Sequence, residues 1–463
     1  MNPASRPQPD PTPLHTRFIL VGLVLSILGG FTLAIALPAE AALGIGARGW
    51  VAHAQVHGHL QVVGFVALVV VGVTYHLLPT FGGTPIAHPR LTAPSLTLIA
   101  AGVVARVVGQ PLADHLPFAV LMAAGAWAEL LGSLCFATVV TATLRGALRR
   151  GEATPPFFIA GATWLAVQAA LGAWWVTVAA VHGMTALDGT RDGALVTLQL
   201  SGFALLFILG VGVRSFPVFF AARRIVFHDV VLPFAAWQVG LGCIAVAGVT
   251  VEVDPTWAWR PAIVGLALAG LGSTWIAMRT GWWRRPSRMR PASRPFALPL
   301  QMALAWLTLA GALSVGMAVV AIASGEAAPA FRLDAIRHIL AVGVVLTTIV
   351  AMAQLVLPEF ASERFAGRQG AWRGIALGGL LALATTLRAG SRWWSDALPA
   401  GEVDIAMSVA GMLAMGVMAT FAALYVRGVR NHRALLARFA AMGDSGRTWE
   451  LTTVDRPQER RSP

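Results

Sequence analysis

The sequence predicts an all-α polytopic membrane protein: about twelve transmembrane helices in three four-helix units, with both termini in the cytoplasm. Three observations predict it. The chain is 57% hydrophobic and 12% charged, with a mean hydropathy of +0.70; a soluble domain carries about twice that charged fraction. Its arginines gather in alternate loops, the pattern that orients membrane helices. A Gly–Pro–Phe register recurs in every fourth apolar run.

A helix needs ~20 apolar residues to cross the bilayer, and twelve runs meet that length. They lie near 17–38, 50–79, 91–109, 117–144, 157–182, 193–220, 230–250, 260–281, 297–323, 332–357, 370–388 and 403–426, and are numbered here as spans 1 to 12. Basic loops hold Arg145, Arg149 and Arg150; Arg223 and Arg224; Arg284, Arg285, Arg288, Arg290 and Arg294; and Arg364, Arg368 and Arg373. The loops between them are acidic or nearly neutral, with Glu40, Asp114, Asp188, Asp192, Glu252, Asp254 and Glu326. The basic loops therefore face the cytoplasm, and the span count is even. The same placement accounts for the net charge of +13 without a nucleic-acid partner; membrane lipid is the expected surrounding. The first apolar run is too long for a signal-peptide core and reads as a retained helix. Residues 1–16 are expected as a disordered cytoplasmic leader, 17–430 as the membrane domain and 431–463 as a cytoplasmic tail. Cys135 and Cys243 fall inside apolar runs, which argues for packing and against a disulfide framework.

The repeat directs attention to two histidines. Gly64 is followed fifteen residues later by Pro79 and then Phe81; Gly202 by Pro217 and Phe219; Gly343 by Pro358 and Phe360. Gly72 and Gly210 also coincide in this register. Spans 2, 6 and 10 are thus equivalent, and the unit is four helices. Five residues before each glycine stand His59, Thr197 and His338. Two imidazoles at one depth in the outer half of the membrane are costly unless paired or working. A haem clamped between them would account for both, imidazole being a common axial ligand; interfacial packing is the plain alternative.

Further histidines lie on the same side. His53 and His57 share a helical face, whereas His57 and His59 are ~200° apart and cannot both face one ligand. With His182 at the end of span 5, His53 and His57 form a candidate second site, suited to copper or zinc. His76, His88 and His228 lie toward the cytoplasm. Arg106 and Arg337 sit on the outer side, where the charge rule does not place them, and guanidinium matches a haem propionate as a bidentate fork. Pairing with Asp334 is the plain alternative for Arg337. Arg48, Arg332, Arg388 and Arg392 are outer as well. Glu129 is a carboxylate deep in span 4, either a packing residue or a member of a proton path.

At these residues the chain resembles the NnrS family. His57-x-His59-x4-Gly64-Phe65 resembles that family's H-x-H-x4-G-F signature. Arg214 to Arg223, RSFPVFFAAR, resembles its R-x-[IV]-P-F-F-T-x-N region, and His338-ILAVG its H-A-L-T-V-G segment. Arg106 matches an arginine that follows an apolar run in the third span. The resemblance implies a twelve-helix bacterial cytoplasmic-membrane protein containing haem b, and copper with it. It also implies a role in nitric oxide response, nitrosative-stress protection and denitrification, with nitric oxide or a redox partner as the interacting species. The family's L-G-H-T-G-R stretch is replaced here by residues around Glu363–Arg368, and its histidine is absent.

A more distant similarity is to haem–copper oxidase subunit I, with twelve helices in three arcs and haem ligands on helices 2 and 10. That enzyme also needs an H-x3-Y on helix 6, a histidine pair on helix 7 and a second histidine on helix 10. Span 6 has no histidine, span 7 has only His228 at its inner edge, and span 10 has one. A terminal oxidase is therefore disfavoured. A divergent oxidase or nitric oxide reductase subunit, and a membrane transporter, are the other function classes weighed.

Overall fold

The computed structural model describes residues 13–45, 49–289, 291–361 and 368–445. Residues 1–12 of the expected leader, Arg48, Arg290, the divergent 362–367 stretch and the end of the tail from 446 lie outside these. Among the described residues there are helices and no strands. Twelve helices are long and apolar enough to cross a membrane: Leu14–Ala42, Trp50–Gly82, Pro89–Leu112, Leu116–Arg149, Thr154–Val181, Gly189–Phe219, Phe227–Thr250, Trp259–Arg279, Ser293–Ser324, Ala330–Leu355, Trp372–Trp393 and Ala400–Ala434. They correspond one to one with spans 1 to 12. Span 1 begins at Leu14, inside the stretch assigned to the leader. The last helix continues to Ser445, well past residue 430.

Spans 2, 6 and 10 form the centre. Their apolar windows are 72, 89 and 61% buried, against 33–50% for the other nine. The repeat glycines show how they are seated. A Cβ on Gly64 would stand 3.2 Å from Val103 of span 3 and 3.6 Å from Leu25 of span 1. One on Gly202 would stand 3.2 Å from Trp164 of span 5 and 3.5 Å from Leu241 of span 7. One on Gly343 would stand 2.9 Å from Trp306 of span 9 and 3.0 Å from Thr385 of span 11. Each central span is thus wedged between the two that flank it in sequence, and the missing side chain permits the approach. The second shared glycine repeats the relation: Gly72 abuts Phe18 of span 1 and Gly210 abuts Phe157 and Phe158 of span 5.

Gly64, Gly202 and Gly343 lie in helix of unusual winding. Val62–Ala67, Leu198–Ala204 and Ile339–Leu346 are π-helical, and these three segments contact one another at the middle of the bundle. A fourth π-segment, Ser26–Phe31, interrupts span 1. Wide turns of this kind are rare and recur at functional sites. Toward the C-terminal end of span 2 the interior is closed by packed rings, Phe81, Phe158, Phe207, Phe136 and Phe203, each 4.7–6.3 Å from the next. Tyr75 joins them and bonds Ser95 at 2.9 Å. Cys135 and Cys243 are unpaired.

Spans 3 and 4 approach closely. A Cβ on Gly102 would lie 2.6 Å from the Gly125 carbonyl, and one on Gly125 2.6 Å from the Gly102 carbonyl. This contact of two backbones brings the Glu129 side chain across Gly102 and toward span 2.

Candidate functional site

The histidines of span 2 face two different neighbourhoods, as their spacing requires. His59 looks toward spans 3 and 4. Arg106 donates from Nη1 to His59 Nδ1 at 3.2 Å, and since arginine only donates, Nδ1 accepts. The ring proton is then on Nε2, which donates to Glu129 Oε1 at 2.8 Å. Arg106 also donates from Nε to Gln110 at 3.3 Å, and Gln110 donates to Gln55 at 2.8 Å. Gln55 closes the string against the outer loop before span 6: it donates to the Leu187 carbonyl at 2.8 Å and accepts from the Leu187 N–H at 3.0 Å. Glu129, His59, Arg106, Gln110 and Gln55 are all buried. The network balances one carboxylate against one guanidinium around a neutral imidazole, the condition under which buried charge is tolerated.

His57 looks the other way, toward spans 1 and 10. Its Nδ1–H donates to the Gly30 carbonyl at 2.8 Å. Gly30 lies in the π-segment of span 1, where the changed winding redirects carbonyls out of the regular helical ladder. His57 is also within electrostatic reach of His338, Arg388 and Asp334. His338 has the matching tautomer: its Nδ1–H donates to the Asp334 carbonyl at 2.9 Å, with Asp334 Oδ1 at 3.2 Å. Both imidazoles therefore keep the Nε2 lone pair free of any partner among the described residues. An oxygen acceptor on Nδ1 is the arrangement that orients a histidine for a metal at Nε2.

Asp334 organises this corner. Its Oδ2 takes Arg388 at 3.0 Å and Arg392 at 3.2 Å, both from span 11. Arg332 pairs with Asp396 at 3.0 Å just above. Arg337 does not join Asp334. It lies against Gly193 of span 6, where a Cβ would collide with its Nη2, and in reach of Asp192.

The candidate ligands expected from sequence are thus divided. His57 and His338 are within electrostatic reach of each other, whereas His59 has both ring nitrogens engaged and Arg106 is spent on His59 and Gln110. Arg337 stands at the same outer end but over span 6. His53 bonds the Gly49 carbonyl at 2.9 Å and His182 is exposed at the end of span 5. Among the described residues no three His, Cys, Asp or Glu side chains form a metal-holding group, so the second site from His53, His57 and His182 is not assembled. Gly30, Gln55, Gln110 and Asp334 have roles here that sequence reasoning did not assign. Gln55 was within reach of it, standing one turn before His59 on the same face.

Comparison with models of known protein families gives no match, and comparison with curated proteins gives none.

Proposed function

We propose that this protein is a haem-binding integral membrane protein of the NnrS kind, acting in the response to nitric oxide, with His57 and His338 as the residues that would hold the haem. The observation that carries the proposal is the shared tautomer of these two imidazoles: Nδ1–H on a carbonyl, Nε2 lone pair uncommitted, one from span 2 and one from span 10. Two imidazoles are too few for a bare zinc or copper(II) ion, which takes four ligands. They suffice for an iron porphyrin, which brings four nitrogens of its own. Copper is left out on this ground, since no third ligand accompanies the pair among the described residues.

When bound, the haem would supply one-electron chemistry. The chain's own part is positional. Gly30 and Asp334 fix the rings, Arg388 and Arg392 neutralise Asp334, and the Glu129–His59–Arg106 network anchors span 2 from the opposite side. Both rings are half-buried.

The test is an absorption spectrum of detergent-purified protein expressed with ample haem. A Soret band is expected in the wild type and in His59→Ala, and is expected to be lost in His57→Ala and His338→Ala. Colourless wild-type protein, or loss of the band in His59→Ala alone, would overturn the assignment.

A further inference from the structure

The arginines between spans 6 and 7 and those between spans 8 and 9 belong to one built surface. Arg284 donates from Nη1 to the Ala221 carbonyl at 3.3 Å, and a Cβ on Gly281 would stand 2.8 Å from Ala222 Cβ. The two loops therefore touch next to Arg223 and Arg224. The longer loop is held in shape. Gln301 of span 9 donates to the Trp282 carbonyl at 2.7 Å and to the Arg284 carbonyl at 3.0 Å. Arg294 donates to the Met289 and Ser287 carbonyls at 3.2 Å each, and Met289 is buried. Arg223, Arg224, Arg285 and Arg288 are left exposed, and among the described residues none of them is in an ion pair or a side-chain hydrogen bond. The one carboxylate of these two loops, Asp229, accepts from the Val226 N–H at 3.3 Å. In the basic loop between spans 4 and 5, by contrast, Arg150 is paired with Glu152 at 2.9 Å. Trp283 stands 53% exposed beside the free arginines.

We infer that this double loop is a binding site for a phospholipid with two phosphates, diphosphatidylglycerol, with Arg223 and Arg224 against one phosphate and Arg285 and Arg288 against the other. The charge rule alone needs only arginines on the cytoplasmic side. It does not need their loop pinned to the next one by Arg284, Gln301 and Arg294. Guanidinium matches phosphate as a fork, and basic pockets at the cytoplasmic ends of membrane helices take such headgroups. A lipid with one phosphate would leave one of the two arginine pairs unmatched. Trp283 suits the same ligand, since an exposed indole at the headgroup level packs against the glycerol and the first methylenes. The site stands apart from the haem assignment and does not depend on it.

The experiment titrates the full-length protein in neutral detergent with diphosphatidylglycerol and, at matched phosphate, with phosphatidylglycerol, and counts bound lipid by native mass spectrometry. The wild type is expected to bind the two-phosphate lipid at least about tenfold more tightly, because the second phosphate acts at a high effective concentration. Arg285→Gln combined with Arg288→Gln is expected to weaken that binding about ten- to thirtyfold, the effect of two arginines near a membrane surface. Arg149→Gln combined with Arg150→Gln, in the other basic loop, is expected to stay within about threefold of the wild type. Neither Arg285 nor Arg288 holds the protein together, so their variant is expected to keep the wild-type melting temperature. Should it not fold, Arg223→Gln combined with Arg224→Gln gives the same readout from the other loop. Equal binding of the two lipids by the wild type would reduce the surface to unspecific charge and overturn the inference. So would unchanged binding in the loop variants, or an equal loss in the Arg149 and Arg150 control. Displacement of the lipid by millimolar inorganic phosphate would assign the arginines to a soluble anion, and the inference would fail.

Discussion

His59 of span 2 and Glu129 of span 4 meet at 2.8 Å inside the bundle, and the contact exists because Gly102 of span 3 offers no side chain to block it. The consequence is a buried charge balance: Glu129 and Arg106 are a compensated pair with a neutral imidazole between them.

Glu129→Ala is therefore expected to leave Arg106 buried without its counter-charge, and to cost about 3–5 kcal/mol, the range seen when one partner of a buried ion pair is removed. The melting temperature in detergent, followed by size-exclusion survival, checks this. Glu252→Ala is the control. Glu252 pairs with Arg191 at the outer rim but is half exposed, so its loss is expected to cost no more than about 1 kcal/mol. Equal effects of the two substitutions would contradict the placement of Glu129.

Glycine substitutions should separate by what a methyl group would meet. Gly102→Ala drives Cβ to 2.6 Å from the Gly125 carbonyl, a backbone atom that moves only if spans 3 and 4 part. A loss of about 1–3 kcal/mol is expected. Gly202→Ala meets Trp164 at 3.2 Å, a looser approach than that at Gly102, and is expected to cost less. Thermostability of the two variants side by side, with the order reversed, would show that the spans are seated otherwise.

Orientation is open to chemical labelling. Val253, 87% exposed in the loop between spans 7 and 8, is on the outer side by the charge rule. With Cys135 and Cys243 replaced by alanine, Val253→Cys is expected to react with a membrane-impermeant maleimide in intact cells. Arg285→Cys, in the basic loop between spans 8 and 9, is expected to react only after the membrane is opened. The opposite result would invert the topology.

The bundle was legible because hydropathy, loop arginines and the repeat all express the same geometry. Gly64, Gly202 and Gly343 coincide in sequence for the reason they coincide in space: each wedges its span between the two flanking ones. Span ends were less legible, since span 1 starts at Leu14 and the last helix runs to Ser445 through polar residues that hydropathy excludes. The direction of the imidazoles was half legible. Spacing separates the faces of His57 and His59 but does not say which neighbour each face meets. The partners that decide it, Glu129 for His59 and Gly30 for His57, are 70 and 27 residues away. Sequence equivalence favours His59 and His338; the hydrogen bonds favour His57, whose aim depends on a carbonyl in a different helix.

That aim is also written into the winding of span 2 itself. Val62–Ala67 absorbs an additional residue in a wide turn just below the histidines. Wound as ordinary α-helix, the same residues would swivel the outer third of the span about 100° around its axis and displace it by about 1.5 Å. His57 would then leave Gly30, and His59 would leave Glu129. The compass bearing of both rings is thus kept by six apolar residues that hydrogen-bond to neither ring.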